Sequence, residues 1–203
     1  MKELVVISGK GGTGKTSIVA SFAALADDKV IADCDVDASN LHILLHPKPL
    51  ERYEFKAEKK AFINKERCTT CGLCYSKCRF NAISKDIEIN EFLCEGCGLC
   101  AAVCLEDAIT LKEQSSGYWL VSDTDYGPFV YAQLRVAQEN SGMLVASIRG
   151  TAKGIAEEKK LKLIIIDGPP GIGCPVISSI TGSDLVFIIT EPTLSALSDA
   201  ERV

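Results

Sequence analysis

The sequence predicts an α/β fold with a mostly parallel sheet that a small cysteine-rich module interrupts. Two short apolar runs, Leu4–Ile7 and Leu161–Ile166, each end in a polar turn that contains glycine, as the buried strands of parallel sheets do. Between these runs, eight of the ten cysteines fall within residues 68–104. The 203 residues are enough for one or two domains with a real core.

Composition narrows the class of protein. A formal net charge of −5 gives no electrostatic footprint for nucleic acid, and no apolar run approaches the length of a membrane span. Met1-Lys2-Glu3 leads directly into the first strand, so we expect no signal peptide. We therefore expect a cytoplasmic protein that keeps its cysteines for metal rather than for disulfides.

A phosphate-binding loop follows the first strand. Residues 9–16 match G-x-x-x-x-G-K-[ST], and a predicted helix, Thr16–Ala26, comes next. The glycines let successive backbone N–H groups face one anion, and the helix adds the positive end of its dipole. Lys15 is expected to reach the β- and γ-phosphates, and the Thr16 hydroxyl to bind Mg²⁺. The predicted nucleotide-binding residues are Gly9, Lys10, Gly11, Gly12, Thr13, Gly14, Lys15, Thr16, Ser17 and Gly171.

The strand Leu161–Ile166 leads into Asp167-Gly168-Pro169-Pro170-Gly171. An apolar strand that ends in aspartate is the second half of a phosphate-loop site, in which Asp167 is expected to hold Mg²⁺ through water. Gly171 is a candidate sensor, with an N–H free to meet a γ-phosphate. A strand-terminal turn without chemistry is the alternative.

Another predicted strand, Lys29–Ala32, ends in the acidic run Asp33-Cys34-Asp35-Val36-Asp37. Carboxylates at the carboxyl end of a parallel strand face the ligand crevice of an open α/β sheet. Asp35 is the favoured functional residue, while Asp33 or Asp37 is a candidate helix cap or outer-shell Mg²⁺ ligand. Cys34 is expected to be a small buried apolar residue.

The cysteines form two sets with the spacing C-x2-C-x2-C-x3-C, offset by 26 residues. This duplicated spacing is that of two-cluster ferredoxins, in which three close cysteines bind one cluster and the fourth binds the other. On that rule the first 4Fe–4S cluster takes Cys68, Cys71, Cys74 and Cys104, and the second takes Cys94, Cys97, Cys100 and Cys78. Zinc and disulfides are the alternatives. Zinc fits the spacing less well, and disulfides are disfavoured by the expected cytosolic setting.

One departure concerns the proline that often follows the fourth cysteine, where this chain has Arg79 and Leu105. Because proline is not a ligand, we expect cluster binding to be intact and only the exposure and potential of the clusters to change.

The predicted domain boundaries follow from these motifs. Residues 1–53 and 116–203 form the two parts of the nucleotide-binding domain, and residues 54–115 form the inserted module. The module is predicted to contain strands Phe62–Asn64, Asp86–Asn90 and Ile109–Lys112, after a charged stretch, Glu51–Lys60, and before a linker at Gln114–Gly117.

The later elements are predicted as a strand at Tyr118–Ser122, an exposed strand or loop at Gly127–Gln133, a helix at Leu144–Lys159 and a strand at Leu185–Thr190.

The motifs resemble those of the MinD/Mrp-like P-loop ATPase superfamily, the relatives of the nitrogenase iron protein, in the variant with an inserted two-cluster ferredoxin domain. The resemblance rests on the phosphate loop with its extra Lys10, on residues 35–42 and on residues 167–171. It implies a homodimer in which Lys10 reaches the partner's nucleotide, and an attacking water positioned by Asp35. The implied catalytic residues are Lys10, Lys15, Asp35 and Asp167.

The resemblance also bears on the end of the sequence. Relatives continue beyond the position of Val203 with the loop that recognises adenine, so ATP is implied by the resemblance alone. We expect either that the chain is truncated or that a partner completes the sheet. In the nitrogenase iron protein a cysteine after the second switch helps to bind a cluster between two subunits. Cys174 has no convincing companion cysteine, so a buried thiol is expected there.

Three functions are compatible with these features. The first is a Mg²⁺-dependent ATPase that couples its nucleotide state to electron transfer or metal-centre assembly through two 4Fe–4S clusters, with a redox protein or metalloprotein as partner. The second is a cluster carrier or scaffold with nucleotide as a regulator only. The third, ranked lower, is an enzyme similar to the cobyrinic acid amidases, which share the nucleotide fold.

Overall fold

The computed structural model describes residues 1–56, 58–135 and 142–203. The chain divides into two compact units, one formed by Met1–Phe55 with Gly117–Val203 and the other by Lys56–Ser116. Within these described ranges, no helix combines the length and the apolar composition that crossing a membrane requires.

In chain order, the elements are β1 (Lys2–Ser8), α1 (Lys15–Leu25), β2 (Lys29–Asp33), α2 (Leu41–Leu45), β3 (Lys48–Phe55), β4 (Glu58–Ile63), α3 (Leu73–Lys77), α4 (Leu99–Ala102), β5 (Ile109–Gln114), β6 (Gly117–Asp123), β7 (Phe129–Leu134), α5 (Gly142–Glu158), β8 (Leu163–Pro170), α6 (Cys174–Ile180), β9 (Leu185–Ile189) and α7 (Leu194–Arg202).

The larger unit is built on a seven-stranded sheet in the order β3-β6-β7-β2-β8-β1-β9. The strands from β7 to β9 in that order run parallel, and β6 and β3 extend the sheet antiparallel at one edge. The prediction of a mostly parallel α/β sheet is confirmed. Because β2 and β1 both flank β8, the carboxyl ends of the three strands meet at one edge of the sheet.

Helices cover both faces of this sheet, as a buried parallel sheet requires. In β1, Val5 and Ile7 pack in a cluster that includes Ile148 of α5, while Val6 points to the other face and packs with Val19 of α1. All three β1 side chains are essentially inaccessible to solvent. Burial on both faces fixes β1, and therefore fixes the start of the phosphate loop.

One prediction about the antiparallel edge was wrong, and one strand there was not predicted. Gly127–Gln133 was expected to be exposed, but β7 lies between β6 and β2 with Phe129 and Val130 fully buried. No strand was predicted within Glu51–Lys60, but the first half of this charged stretch belongs to β3, an edge strand of the main sheet. Exposed charged residues and Pro49, which is tolerated only at a sheet edge, obscured the strand pattern.

The smaller unit repeats its backbone structure at the 26-residue offset of its sequence. The Cys68 N–H donates to the Asn64 carbonyl, and the Cys94 N–H donates to the Asn90 carbonyl, both at 3.1 Å. The helices α3 and α4 both begin after a glycine in the left-handed conformation, with φ of 77° at Gly72 and 78° at Gly98. The sequence duplication is therefore also a structural duplication.

Hydrogen bonds tie each half of the smaller unit to the other. Asn64 in the first half donates its N–H to the carbonyl of Ala108 in the second half, at 2.8 Å. Asn90 in the second half donates to Ala82 in the first half at the same distance. This reciprocal closure brings the end of each half back to the start of the other.

The predicted strand Asp86–Asn90 is not formed. A tight turn replaces it, with Ser84 N–H donating to the Glu88 carbonyl at 2.8 Å and Ile87 in the left-handed region at φ 55°. Only an isolated bridge between Ile83 and Ile89 remains. The other two predicted strands of this module fall in β4 and β5, which pair antiparallel. The exception is Asn64, which was predicted to end a strand but follows β4.

One pair of equivalent positions distinguishes the two halves. Gly96 has a φ of 60°, and a Cβ there would lie 1.9 Å from the carbonyl oxygen of Lys59 in β4. Its counterpart Thr70 has a similar φ of 52° but carries a side chain. Glycine is therefore required at residue 96 by the close approach of β4, and not by the turn conformation alone.

We predict that Gly96→Ala destabilises the smaller unit by at least about 2 kcal/mol, because the new methyl group collides with backbone that a side-chain movement cannot relieve. The measurement is amide hydrogen exchange in β4 and β5, which reports the local free energy of opening. Thr70→Gly is the matched control, with a change of about 1 kcal/mol or less. Equal exchange in Gly96→Ala and wild type would show that the contact with Lys59 is not constraining.

Candidate functional site

The phosphate loop connects β1 to α1 and lines an open cleft. Gly12 and Gly14 adopt φ values of 83° and 84°, which other residues rarely adopt. Most of the predicted nucleotide-binding residues line this cleft, namely Gly11, Gly12, Thr13, Gly14, Lys15, Thr16 and Ser17, with Asp35 and Pro170 beside them. Gly9 instead faces α7, where a Cβ would come within 2.5 Å of the Asp199 backbone.

Lys15 is held between two carboxylates. Its ammonium lies 2.6 Å from Oδ1 of Asp167 and 3.1 Å from Oδ2 of Asp35. The three side chains are all buried, with 6%, 1% and 10% of their surfaces exposed for Lys15, Asp167 and Asp35. The sequence predicted these three residues for one site, and the structure brings them together from α1, the end of β8 and the turn after β2.

Burial and charge oppose each other at this triad. Burial works against the charge on Lys15, but Asp167 and Asp35 outweigh it, so the pKa of Lys15 is raised. Burial also raises the pKa of Asp167, while the ammonium of Lys15 acts in the opposite direction. The lysine charge is what makes two buried carboxylates tolerable at the sheet edge.

A third carboxylate, Asp33, lies fully buried behind this triad. It ends β2 at the position paired with Asp167 of β8. Its Oδ1 accepts the N–H of Asp35 at 3.1 Å, and its Oδ2 accepts the Ser39 hydroxyl at 2.8 Å. Burial, followed by the charge of Asp167, raises the pKa of Asp33 to about 8. Asp33 therefore shapes the turn that carries Asp35, and its geometry is that of a turn clamp rather than a helix cap.

The residues around Asp167 fit a magnesium ion. No described residue donates to Asp167 Oδ2 or pairs with the Thr13 hydroxyl, although both oxygens are buried. A buried carboxylate oxygen without a donor is costly unless a cation or a water of its shell meets it. A side-chain hydrogen bond from Thr16 to the Asp167 carboxylate also acts to lower the pKa of Asp167, although burial raises it overall. Carboxylate and hydroxyl oxygens are the donors that Mg²⁺ prefers.

Two predicted residues make contacts that the sequence did not indicate. Lys10 pairs with Glu191, which follows β9, at 3.0 Å, and both side chains are partly exposed. Gly171 has a φ of 89°, but its N–H donates to the Ser8 carbonyl at 2.9 Å. The expectation of a free N–H at Gly171 was therefore wrong, because the chain after β8 turns back onto the end of β1.

The two cysteines outside the module differ in exposure. Cys34 is fully buried, as expected. Burial raises the pKa of its thiol, so it remains protonated. Cys174 was expected to be buried as well, but it is exposed. It is the first residue of α6, so it lies where the chain leaves the sheet and before the apolar face of the helix begins.

The eight cysteines of the smaller unit divide between two cavities. We name them the Cys94 pocket and the Cys68 pocket. The Cys94 pocket is lined by Cys78, Cys94, Cys97 and Cys100. The Cys68 pocket is lined by Cys68, Cys71, Cys74 and Cys104. Each pocket thus combines three close cysteines of one set with the fourth cysteine of the other.

Backbone N–H groups point at several of these sulfurs. Ala82 N–H donates to Cys78 Sγ at 3.4 Å, and the equivalent Ala108 N–H donates to Cys104 Sγ at 3.3 Å. Ala61 N–H also donates to Cys94 Sγ, at 3.5 Å. Such bonds stabilise thiolates rather than thiols. Among the described residues, no three potential ligands converge as they would around a single metal ion.

Sequence reasoning missed Ser39 and Glu191, and it left the role of Asp33 open. Ser39 stands six residues after its partner, and Glu191 lies far from Lys10 in the chain. Only the position of Asp33 at the carboxyl end of a strand gave a signal in advance. The contacts of the other two depend on how the turns fold.

Most of the chain matches known proteins. The chain matches the CobQ/CobB/MinD/ParA nucleotide binding domain over residues 4–186. It is similar to two uncharacterised proteins of Methanocaldococcus jannaschii. MJ0578 is 40% identical, and the match covers 99% of this chain and 71% of that protein. MJ0579 is 28% identical, and the match covers 100% of this chain and 75% of that protein.

Among solved structures, the MinC:MinD cell division protein complex of Aquifex aeolicus matches with a TM-score of 0.51 and 16% identity, and this likeness shows the fold alone. The match covers 100% of this chain and 62% of that one. The chain therefore spans about three fifths of the length of the MinD-type chains of known structure.

We predict a pH-dependent stability difference between wild type and Asp33→Asn. Between pH about 4 and about 8, the folded protein keeps a proton on Asp33 that the unfolded chain loses. The contribution of this group to stability therefore falls as pH rises through that window, with a slope of at most about 1.4 kcal/mol per unit. An asparagine side chain does not titrate, so Asp33→Asn lacks this pH-dependent contribution to stability.

The measurement is the free energy of unfolding at pH 5 and pH 8 without nucleotide or Mg²⁺. Wild type should lose stability relative to Asp33→Asn between the two values. Asp27→Asn, which removes an exposed carboxylate, is the control for the loss of a carboxylate as such. Parallel pH profiles for wild type and Asp33→Asn would contradict the prediction.

Proposed function

The chain belongs to the CobQ/CobB/MinD/ParA nucleotide-binding family, and from that premise we propose that it is a Mg²⁺-dependent ATPase whose nucleotide state governs two 4Fe–4S clusters in the smaller unit. The observation that carries the proposal is Lys15, buried between Asp35 and Asp167 at the edge where the phosphate loop begins α1. This arrangement gives one cation and two carboxylates at the site of phosphoryl transfer.

Each residue of the triad has a part in this proposal. Bound MgATP supplies a γ-phosphoryl group whose transfer to water requires neutralised charge and in-line geometry. Lys15 would exchange a carboxylate partner for phosphate oxygens, while Thr16 and the unpartnered Oδ2 of Asp167 would hold the metal and its water. Asp35, placed by the Asp33 clamp, would orient the attacking water.

We assign Lys10 a role between subunits of a homodimer. Its partner in this structure is Glu191, and both side chains are more than a third exposed, at 35% for Lys10 and 39% for Glu191. An ion pair this exposed contributes little stability, so Lys10 can leave it for the phosphates of a partner's nucleotide. Gly171 would sense the γ-phosphate by giving up its bond to Ser8.

The cluster half of the proposal is supported by the two cysteine pockets. A cubane has four irons that each take one thiolate, so its ligands surround a cavity rather than converge on a point. The quartets around the Cys68 and Cys94 pockets are those that the ferredoxin spacing predicts. The N–H groups directed at Cys78, Cys94 and Cys104 fit thiolate ligands. When bound, such clusters supply one-electron chemistry.

A second candidate function is cluster donation to a metalloprotein, with nucleotide as the regulator. It is favoured by the exposure of Cys71 and Cys97, one cysteine in each quartet. Thiolates at the surface allow an incoming thiol to displace a ligand. Transfer of iron to an apo-protein, faster with MgATP than without, would support this function over electron transfer.

The ATPase proposal predicts that Asp35→Asn lowers ATP turnover about 10²- to 10⁴-fold, the usual contribution of a residue that handles the proton of the attacking group. Nucleotide affinity should stay within a few-fold, because Lys15 keeps Asp167 and the phosphate loop is unchanged. Turnover and equilibrium binding are measured on the full chain. Asp125→Asn, in the exposed turn after β6, is the control, and unchanged turnover in Asp35→Asn would remove Asp35 from the assignment.

The cluster proposal predicts about eight iron and eight sulfide per chain after anaerobic purification, which corresponds to two cubanes. Because nucleotide is proposed to govern the clusters, MgATP should shift at least one reduction midpoint. Elemental analysis and a redox titration with and without MgATP measure both. Stoichiometric zinc, or cysteines that stay free under anaerobic conditions, would refute the cluster assignment, and midpoints that ignore MgATP would refute the coupling.

A further inference from the structure

The duplication makes the two cysteine pockets directly comparable, position by position. Most residues that line the Cys94 pocket have counterparts 26 positions away that line the Cys68 pocket. Among these pairs are Cys78 and Cys104, whose sulfurs accept from the equivalent amides of Ala82 and Ala108, and Arg79 and Leu105 directly after them. Any difference between matched positions is therefore a difference between the two proposed clusters.

The charges around the pockets are unequal. The Cys94 pocket is lined by the cations Lys77 and Arg79 and by one anion, Glu95. In the described part of the chain, the one charged side chain that lines the Cys68 pocket is Glu106. The counterparts of Lys77 and Arg79 are Val103 and Leu105, which carry no charge. The net charge of the lining is thus positive in one pocket and negative in the other.

One further contact acts in the same direction. Ala61 N–H donates to Cys94 Sγ at 3.5 Å, in addition to the matched bonds to Cys78 and Cys104 in the two pockets. The lysines beside the pockets are balanced, since Lys60 donates to the carbonyl of Cys94 at 2.7 Å and Lys65 donates at 2.8 Å to the carbonyl of Ile87, which lines the Cys68 pocket. Hydrogen bonds to the sulfurs and positive charge both favour the reduced form of an iron–sulfur cluster.

We propose that Lys77 and Arg79 make the Cys94 pocket the site of the more easily reduced cluster, so that the pair has an intrinsic direction for an electron. The inference rests on the proposed function, since it requires both clusters. Reduction adds one electron to the cluster, from a low-potential one-electron donor such as dithionite, and no bond or proton changes place. Cations near the cluster stabilise the added negative charge.

The size of this effect is limited by solvent. Lys77 and Arg79 are exposed at the surface, and the Arg79 guanidinium lies 5.2 Å from the centre of the Phe80 ring. Exposed charges are screened by water and salt, and Glu95 partly opposes them. A single charge should therefore change the reduction equilibrium about two- to tenfold, or about 18–59 mV at 59 mV per decade, and more at low than at high ionic strength.

The test exchanges the matched residues in the full chain, purified anaerobically with iron and sulfide measured. Each variant is titrated with dithionite and followed by electron paramagnetic resonance. Wild type should show two midpoints. Arg79→Leu should lower the higher midpoint and leave the lower one in place, while Leu105→Arg should raise the lower midpoint. Lys85→Leu removes the same charge from an exposed turn that lines neither pocket and should move neither midpoint.

The outcomes separate this inference from the function it rests on. Two loaded clusters whose midpoints are equal, or that shift together in both variants, would overturn the inference and leave the cluster proposal intact. Arg79→Leu acting on the lower midpoint would reverse the assigned direction and also overturn it. Absence of iron and sulfide under anaerobic conditions would overturn the cluster proposal, and the inference with it.

Discussion

The buried ion pairs of Lys15 are the interaction on which the nucleotide-binding unit depends. Asp33, Asp35 and Asp167 meet at one edge of the sheet because β2 and β8 are adjacent and parallel. Lys15 contacts two of them. Removal of one partner from a buried ion pair costs about 3–5 kcal/mol. The same charges that are costly to bury therefore suit the proposed site for a metal cation and a phosphate anion.

The smaller unit is constrained differently. Its apolar cluster is small, with Ile63, Ile83, Ile87 and Ile109 as the large buried members, and much of the remaining surface that packs against them belongs to cysteines. A core of this size provides little stabilisation by burial alone. The proposed clusters would thus contribute to folding as well as to redox chemistry, because metal binding and folding are coupled in small domains.

The sequence predicted what depends on local pattern and fixed spacing. The strands β1 and β8, the phosphate loop and the two cysteine quartets all follow such rules, and the structure places Lys15, Asp35 and Asp167 together. The wrong predictions concern burial, exposure and backbone hydrogen bonds, which depend on where a segment lies in the tertiary structure. The burial of β7 depends on its place between β6 and β2, the exposure of Cys174 depends on where α6 begins, and the bond of Gly171 to Ser8 depends on how the chain leaves β8.

Arg79 and Leu105 show how the two kinds of information combine. From sequence, they were a departure from a motif at a position that binds no iron, with an expected effect on potential but no direction. The structure assigns Arg79 to the pocket that also contains Lys77, and Leu105 to the pocket with Glu106. A duplicated fold needs the same backbone in both halves, which Gly72 and Gly98 share, but it leaves such flanking positions free to differ. The difference in charge would therefore set a direction for electrons between the proposed clusters without any change in the fold.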